Sequence, residues 1–245
     1  MRIVVIDPET LSGKLLSFVL QEAGHDVVVT RTATDGLDAV TRHEADAVIL
    51  VADLSDMEGV ALCAELRARH HAGPILVLGD AAETRAKLRA FAHGADDYVV
   101  TPYDPVEVAA RVDVVARRAG RADAQASSSV LAVEDAELSL GELTVRIPGR
   151  PPMLLTPTEM RVLEVLMRRS PTAVTRDELV ERVWGYPCIG ETNRADVYLL
   201  RLRRKLEGDS AHPRYLQTIR GIGYAFRLAA GPSHDTPGTA GVVAD

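Results

Sequence analysis

Residues 193–206 have the sequence NRADVYLLRLRRKL. Counted at 100° per residue, four apolar side chains share one narrow side of this stretch, which predicts an amphipathic helix packed on a core. Those four are Ala195, Leu199, Leu202 and Leu206. The opposite side is rich in arginine, and Asp196 is the only acid between Arg194 and Lys205, so few ion pairs within the helix neutralise it. The stretch therefore predicts a helix with an exposed basic surface.

The side chains of that basic surface are of the kind that binds the major groove of DNA. Guanidinium groups form paired hydrogen bonds with guanine or hold phosphates, and a short apolar side chain contacts the methyl group of thymine. The predicted DNA contacts come from Arg194, Val197, Arg201 and Arg204, with Arg203 on the flank. Leu200 is exposed on the same count and has no assigned role. The alternative for the whole surface is a solvated, charged helix face.

A glycine-containing turn follows the helix, in the sequence TIRGIGY at residues 218–224. Gly221 and Gly223 predict a tight hairpin turn, and Arg220 lies near its tip. The negative potential of the minor groove attracts arginine. Placed after an arginine-rich helix, this hairpin predicts a wing whose Arg220 enters the minor groove beside the helix.

Length, charge and composition bound the class of protein. The chain has 245 residues, which suits two modest domains, and a net charge of −7. Residues 1–118 carry 12 basic and 19 acidic side chains, whereas residues 136–229 carry 15 basic and 11 acidic ones, which favours nucleic-acid binding by the second half. The sequence contains no apolar run of membrane-spanning length, no signal peptide, no phosphate-binding glycine loop and no metal-binding cysteine set. We therefore expect a cytoplasmic protein with two reduced thiols, no membrane segment, no metal, no cofactor and no catalytic residues.

The first half alternates short β-branched runs with helical stretches. The predicted strands are 2–6, 26–30, 47–51, 75–78 and 98–100, and the predicted helices are about 11–23, 33–43, 58–70, 83–93 and 105–118. Strands this apolar are buried on both faces, and five strand-then-helix units imply a parallel sheet covered by helices. The functional site of such a sheet lies at the carboxyl ends of its strands.

The second half follows an Ala/Ser-rich stretch that predicts a linker. The predicted segments are a first domain over 1–119, a linker over 120–135, a second domain over 136–229 and a disordered tail over 230–245. Within the second domain, three short strands precede helices at 157–169, 176–183 and 194–206 and a hairpin at 215–228. Thr156, Pro157 and Glu159 together predict a capping box at the start of the first of these helices.

The second half resembles the winged-helix output domain of OmpR/PhoB-type response regulators. The resemblance is carried by LTPTEMRVLEVLM (155–167), VTRDELVERVWGY (174–186), TNRADVYLLRLRRKLE (192–207) and TIRGIGYAF (218–226). It implies a winged helix-turn-helix with an N-terminal antiparallel sheet, and binding in tandem to direct-repeat half-sites about one helical turn apart. It also implies DNA contacts from Asn193, Arg201, Arg203 and Arg220, and a contact with RNA polymerase from a loop that contains Trp184, Gly185 and Tyr186.

The first half resembles the receiver domain of the same family, and GADDYVVTPYDPVEVAARV (94–112) is the closest match. The resemblance implies an α/β flavodoxin-like (βα)5 fold with strand order 2-1-3-4-5. Receivers hold Mg²⁺ with two adjacent carboxylates after strand 1 and a phosphoacceptor aspartate after strand 3, and they use Thr/Ser after strand 4 and Lys after strand 5. The matching positions are Ile6 and Asp7, Val51, Gly79 and Thr101, so Asp7 alone keeps the expected chemistry.

The valine at position 51 predicts control without phosphorylation. Valine has no nucleophilic oxygen that could form an acyl phosphate, and a single carboxylate is a poor site for Mg²⁺. One alternative is a conventional response regulator that accepts the phosphoryl group on Asp53, two residues further along. A remote alternative is a ligand-binding flavodoxin-like protein whose helical appendage does not bind DNA.

The receiver-like half also carries charged residues where relatives form a symmetric dimer. They are Lys87, Asp96, Asp97, Glu107, Arg111 and Arg118. The resemblance implies a homodimer held by charge pairs on this face, and ordinary surface charge is the alternative. The predicted partners are therefore double-stranded DNA, RNA polymerase, a second copy of the chain, and a small molecule or protein that acts as an effector at the receiver.

Overall fold

The computed structural model describes residues 1–80, 84–113, 130–185, 193–207 and 212–228. The chain forms two domains, which we call the first domain (described to residue 113) and the second domain (described from residue 130). No helix in these described ranges combines the length and the apolar character needed to cross a membrane.

The first domain alternates strands and helices along the chain. Its strands are β1 (Arg2–Ile6), β2 (Asp26–Thr30), β3 (Ala47–Val51), β4 (Ile75–Asp80) and β5 (Asp97–Thr101). Its helices are α1 (Thr10–Glu22), α2 (Ala33–Arg42), α3 (Gly59–Ala68), α4 (Thr84–Ala92) and α5, which is described over residues 105–113. The strands form one parallel sheet in the order β2-β1-β3-β4-β5, which confirms the predicted order.

This sheet has a core on each face because successive strand residues point to opposite sides. Val4 and Ile6 belong to the core that α2, α3 and α4 cover, whereas Ile3 and Val5 belong to the core that α1 and α5 cover. Cys63 lies in the first of these cores, where burial raises the pKa of its thiol to about 12. Cys63 is thus a buried, neutral thiol, and Cys188 lies outside the described residues.

The second domain begins with an antiparallel sheet and ends with a hairpin. The first sheet contains β6 (Val130–Val133), β7 (Ala136–Ser139), β8 (Thr144–Arg146) and β9 (Met153–Leu154). The helices are α6 (Pro157–Arg169), α7 (Arg176–Trp184) and α8 (Asn193–Leu206). The second sheet joins β10 (Val174–Thr175), β11 (Leu216–Ile219) and β12 (Gly223–Phe226) in the order β10-β12-β11. This arrangement is the predicted winged helix with an N-terminal antiparallel sheet.

One strand lies inside the stretch 120–135 that the sequence predicts as a linker. Val130–Val133 pairs antiparallel with Ala136–Ser139, so the second domain begins no later than Val130. A strand of four residues at the edge of a sheet gives little alternation in the sequence, and the Ala/Ser-rich residues before it suggest a longer linker. Residues 114–129 and the predicted tail at 230–245 lie outside the described residues.

The start of α6 shows how local sequence sets an element boundary. Thr156 Oγ1 accepts a hydrogen bond from the backbone N–H of Glu159 at 3.3 Å, and the Glu159 carboxylate accepts one from the backbone N–H of Thr156 at 3.0 Å. Pro157 occupies the first turn, where its missing N–H leaves no intrahelical bond unmade. The predicted capping box is confirmed, and it fixes the entry of the chain into the helical core.

Candidate nucleic-acid interface and the contact that covers it

The buried side of α8 is the one that the apolar periodicity predicts. Ala195, Leu199, Leu202 and Leu206 are each at most 1% exposed, and they belong to the core of the second domain. The helix therefore has the predicted rotation about its axis. What differs from the prediction is the environment of its polar side.

Two of the arginines predicted to be exposed are buried. Arg194 is 1% exposed and Arg201 is 9% exposed, because α8 packs against α4 and the start of β5 in the first domain. We call this part of the first domain, which comprises Phe91, Ala95, Asp96 and Asp97, the α4–β5 surface. The prediction of an exposed position is wrong for both arginines, since a helical count shows which side is polar and not what covers it.

Arg194 is enclosed by both domains. Its Nη2 donates to Asp97 Oδ1 at 2.5 Å, and its guanidinium lies over the rings of Phe91 and Trp184, 4.5 and 4.6 Å from their centroids. Arg111 donates to the other oxygen of Asp97 at 3.1 Å. Burial acts to raise the pKa of Asp97, but Arg194 and Arg111 hold it below its ordinary value. Asp97 is therefore a charged carboxylate at neutral pH, with a cation on each oxygen.

Tyr198 and Arg201 continue the contact along α8. The Tyr198 hydroxyl donates to the Ala95 carbonyl at 2.8 Å, and Arg201 Nη1 donates to the same carbonyl at 3.3 Å. Arg201 Nη2 also lies 2.9 Å from Glu159 Oε1, and Lys205 Nζ lies 2.6 Å from Glu159 Oε2. Burial acts to raise the pKa of Glu159, but these two cations lower it below its ordinary value. Arg201 thus has a partner in each domain.

Asp96, directly before β5 in the first domain, forms hydrogen bonds with residues of both domains. It is fully buried, and its carboxylate accepts from Arg67 Nη2 at 2.5 Å and from the backbone N–H of Ile75 at 2.9 Å. Its other oxygen accepts from Thr156 Oγ1 at 3.3 Å. Because Thr156 also caps α6, the residue that starts a helix of the second domain contacts the first domain as well.

A different part of the polar side of α8 stays outside this contact. Arg204 is exposed, Leu200 is 42% exposed and Val197 is half-buried. These three are neighbours on the helix surface, directly beside the strip that carries Arg194 and Arg201. Asn193 is the first residue of α8. We call Val197, Leu200 and Arg204 the open side of α8.

The two remaining predicted DNA contacts lie in and beside the wing. Arg203 is half-buried and donates to the Leu216 carbonyl at 2.6 Å and to Thr218 Oγ1 at 2.7 Å, so it ties α8 to β11. Arg220 is exposed at the tip between β11 and β12. Gly221 beside it has φ +75°, a backbone conformation that favours glycine. The structure therefore presents Arg220 and commits Arg203 to a contact within the domain.

The three residues predicted to contact RNA polymerase have different surroundings. Trp184 ends α7 and is 3% exposed, because its ring packs 5.3 Å from that of Tyr198 and beneath Arg194. Gly185 follows it with φ +82°. Tyr186 lies outside the described residues. In this structure, Trp184 is thus a core residue of the domain contact rather than an exposed one.

The contact between the domains covers some of the residues predicted for a symmetric dimer and leaves others exposed. Asp96 and Asp97 are 0% and 3% exposed, covered by the second domain. Arg111 pairs with Asp97 and, at 2.7 Å, with Glu107, which is exposed. Arg118 lies outside the described residues. The predicted dimer face is therefore partly occupied by the second domain.

The positions that carry the chemistry of a receiver meet at the carboxyl ends of the strands. Ile6 is fully buried, Val51 and Thr101 are half-buried, and Asp7 is 3% exposed. Asp7 Oδ1 accepts from the backbone N–H of Glu9 at 2.8 Å, and its Oδ2 is buried with no hydrogen-bond partner among the described residues. One carboxylate beside aliphatic side chains does not fit Mg²⁺, which prefers several oxygen ligands. We call Asp7, Val51, Gly79 and Thr101 the strand-end pocket.

The space beside Gly79 is taken by an aromatic side chain. Tyr98 is 5% exposed, and its hydroxyl donates to the Asp80 carbonyl at 3.3 Å. A Cβ placed on Gly79 would lie 2.1 Å from that hydroxyl oxygen. Lys87 lies over the other side of the ring, 6.0 Å from its centroid. The glycine at position 79 is therefore what allows Tyr98 to occupy this inward position.

Three acids follow β3, and two have structural partners. Asp56 accepts hydrogen bonds from the first two backbone N–H groups of α2, which lower its pKa. Glu58 pairs with Arg89 at 2.8 Å. Asp53 is exposed, and its backbone forms a bridge with that of Glu58. In the described part of the chain, no group of three or more His, Cys, Asp or Glu side chains is placed to hold a metal ion.

The sequence reasoning missed the aromatic part of the domain contact. Phe91 and Tyr198 pack against Arg194 and Arg201, and Tyr198 is fully buried. A signal was present, because Tyr198 lies about one turn after Arg194 and about one turn before Arg201, so the three side chains are neighbours along α8. An aromatic side chain flanked by two arginines is typical of a surface that packs on protein.

Two family models match the chain: the response regulator receiver domain over residues 3–113, and the C-terminal domain of transcriptional regulatory proteins over residues 149–226. The sensory transduction protein RegX3 of Mycobacterium tuberculosis is 36% identical over 222 residues, which are 91% of this chain and 96% of that protein. The alkaline phosphatase synthesis transcriptional regulatory protein PhoP of Bacillus subtilis is 34% identical over 235 residues, 91% and 95% of the two chains. Structures of two mutants of RitR match with TM-scores of 0.73 and 0.74 at 26% identity, covering 93% of this chain and 99% of theirs. The chain therefore belongs to the OmpR/PhoB-type family of DNA-binding two-component response regulators.

Proposed function

We propose that this protein is a transcription regulator that rests in a closed state, with α8 held on the α4–β5 surface, and that separation of the domains permits DNA binding. The observation that carries the proposal is the burial of Arg194 and Tyr198 between the two domains. Release follows domain separation and not phosphorylation at position 51. The released protein binds tandem half-sites as a dimer.

The dimensions of a helix and a groove explain why the closed state excludes DNA. An α-helix with its side chains is about 10–12 Å wide and the major groove is about 12 Å wide, so the groove walls press on both flanks of an inserted helix. In the closed state, one flank of α8 is occupied by the first domain through Arg194, Tyr198 and Arg201. A DNA backbone would have to take the same space.

The closed state also competes with the dimer that the family resemblance implies. Asp97 is the partner of Arg194 in the closed state, and it belongs to the predicted dimer face with Arg111. When α8 leaves, this buried carboxylate and its neighbours become available to a second copy of the chain. Release and dimerisation are therefore coupled through one surface, and a small molecule or protein that binds the first domain would shift the same equilibrium.

Phosphorylation-independent control is supported by the chemistry of the strand-end pocket. Val51 offers no oxygen to a phosphoryl donor, Thr101 offers no cation, and Gly79 offers no hydroxyl. Tyr98 already occupies the inward position beside Gly79. A pocket with these side chains has no carboxylate at position 51 to accept a phosphoryl group. It also has no hydroxyl at position 79 and no cation at position 101 to bind one.

For the released state, we assign the groove contacts to the open side of α8 and to Asn193, and the minor-groove contact to Arg220. Arg194 becomes available for a phosphate or base contact once Asp97 is withdrawn. Arg201 and Arg203 keep their partners in the second domain, so they orient the helix and line its groove-facing flanks. RNA polymerase is then contacted by the segment after α7, which begins at Gly185.

The main test is the substitution Asp97→Asn in the full chain. Asparagine has nearly the same shape but leaves Arg194 buried without a counterion, whereas in the released state water solvates Arg194. Loss of a charge from a buried pair destabilises the paired state by about 3–5 kcal/mol. We expect the affinity for DNA with a single half-site to rise about tenfold or more, measured by fluorescence anisotropy at constant salt. A single half-site keeps dimerisation out of the measurement.

Glu107→Gln is the matched control. Glu107 lies on the same predicted dimer face, but it is exposed, and the described ion pair of its carboxylate is with Arg111 in the first domain. The affinity of the Glu107→Gln variant for the half-site should equal that of the unmodified chain. Unchanged affinity in Asp97→Asn would contradict the closed-state proposal, and equal gains in both variants would assign the effect to the charge of the face instead.

Phosphorylation is tested separately with acetyl phosphate and Mg²⁺, followed by phosphate-affinity electrophoresis. We expect one unshifted band. A shifted band that Asp53→Ala abolishes would support the conventional response regulator instead.

A further inference from the structure

Leu200 is a large apolar side chain that the fold leaves 42% exposed on α8. It follows Val197 by three residues, so the two side chains are neighbours on the open side of the helix. Val197 is half-buried and packs against the apolar core cluster, which contains buried residues of both domains. None of the contacts described above joins Leu200 to the first domain, so its apolar surface remains available on the open side.

The arginines around this pair are committed elsewhere. Arg201 is paired with Glu159, and Arg203 with Leu216 and Thr218, all within the second domain. These contacts persist when the domains separate, because both partners move together. Arg204 is the exposed cation on this side of α8. The surface left to face the floor of the groove is therefore apolar at its centre, with a cation at its border.

We propose that Val197 and Leu200 form a specificity-determining surface that recognises the 5-methyl group of thymine in each half-site. This inference rests on the proposed groove contact of the open side. In the major groove, thymine presents its methyl group beside the O4 acceptor, whereas guanine, cytosine and adenine present donors or acceptors and no methyl group. An apolar side chain packed on those polar groups would leave them without hydrogen bonds. Leu200 therefore selects thymine both by burying its methyl and by rejecting the other bases.

The test begins with selection of duplexes from a random library by the full chain, which defines the half-site. Each thymine of that site is then replaced singly by deoxyuridine, which removes the methyl group and keeps the pairing edge. Burial of a methyl group changes affinity about fourfold, which is about 0.8 kcal/mol. We expect such a loss at one or two thymines, measured by fluorescence anisotropy at constant salt.

Leu200→Ala is the decisive variant, and its exposed position makes it compatible with folding. It should bind the thymine and deoxyuridine duplexes equally, with the affinity that the unmodified chain shows for the deoxyuridine duplex. Arg204→Ala is the matched control from the same side of α8. It should bind both duplexes more weakly and keep the fourfold ratio between them.

Leu200→Arg should change the preferred base. Because arginine pairs with guanine through two hydrogen bonds, selection with this variant should replace the thymine by guanine at the same position. The proposal is overturned if no thymine shows a methyl effect, or if Leu200→Ala keeps it. If neither the full chain nor its Asp97→Asn variant, in which α8 is released, selects a sequence, the proposed groove contact falls as well, so the two failures are distinguishable.

Discussion

The strand-end pocket and the α4–β5 surface belong to the same sheet, yet they differ in how their polar groups are used. In the pocket, Asp7 keeps one oxygen without a hydrogen-bond partner among the described residues, and Val51 and Gly79 add no polar side-chain atom. On the α4–β5 surface, Asp96 and Asp97 are equally buried, and every carboxylate oxygen of the pair has a donor. Buried polar groups are retained at a cost unless they are paired. Among the described residues, the buried carboxylates of the α4–β5 surface are thus fully paired, whereas the carboxylate of the strand-end pocket is not.

The largest expected effect is on stability: Asp96→Ala should lower the free energy of unfolding far more than Asp7→Asn. Removal of the Asp96 carboxylate leaves the half-buried Arg67 without its counterion and the buried Ile75 N–H without an acceptor, which should lower the free energy of unfolding by about 3–5 kcal/mol. Asp7 has no cationic partner among the described residues, so its neutral replacement should change that free energy by about 0.5 kcal/mol or less. Urea denaturation of both variants measures the difference, and similar losses would remove the distinction between the two regions.

A smaller effect is expected when a single hydroxyl is removed from each region. Tyr198→Phe takes away the donor to the Ala95 carbonyl across the domain contact, which should weaken the closed state by about 1–2 kcal/mol. Affinity for a single half-site should then rise about fivefold or more. Tyr103→Phe removes the hydroxyl that lies 3.0 Å from Ser12 Oγ, after β5 and near the pocket, and should leave the affinity unchanged. An equal rise in both variants would mean that the pocket also controls closure.

The smallest expected effect is the pH dependence of stability that comes from His71, which contacts Arg67, the partner of Asp96. Burial, aided by Arg67, lowers the pKa of His71 to about 4, and the His71 carbonyl accepts from Arg67 at 2.5 Å. The unfolded chain binds this proton near pH 6.5 and the folded chain does not, so the stabilisation is complete above pH 6.5 and declines as pH falls from there towards 4. Between pH 7.5 and 5.5, the chain should lose about 1 kcal/mol of unfolding free energy more than His71→Gln does. Parallel pH dependence in the two proteins would place His71 in water instead.

The local features of this protein follow from its sequence alone. The 3.6-residue periodicity of α8 predicts its buried stripe, because Ala195, Leu199, Leu202 and Leu206 fall on one side whatever lies opposite them. Thr156 and Glu159 predict the start of α6, because a capping box is completed within four residues. The strand order of the first domain follows from the family resemblance, and the prediction of altered receiver chemistry rests on Val51 and Thr101 in the sequence itself.

Only the tertiary structure decided the surroundings of the polar side of α8. Arg194 finds its carboxylate on Asp97, a residue 97 positions away in the sequence, and Tyr198 finds a carbonyl in the same region. A guanidinium or a hydroxyl is satisfied equally by water, a phosphate, a base or another domain, so residue type and spacing cannot distinguish these partners. Periodicity determines which way a side chain points, and the packing of the two domains determines what it meets.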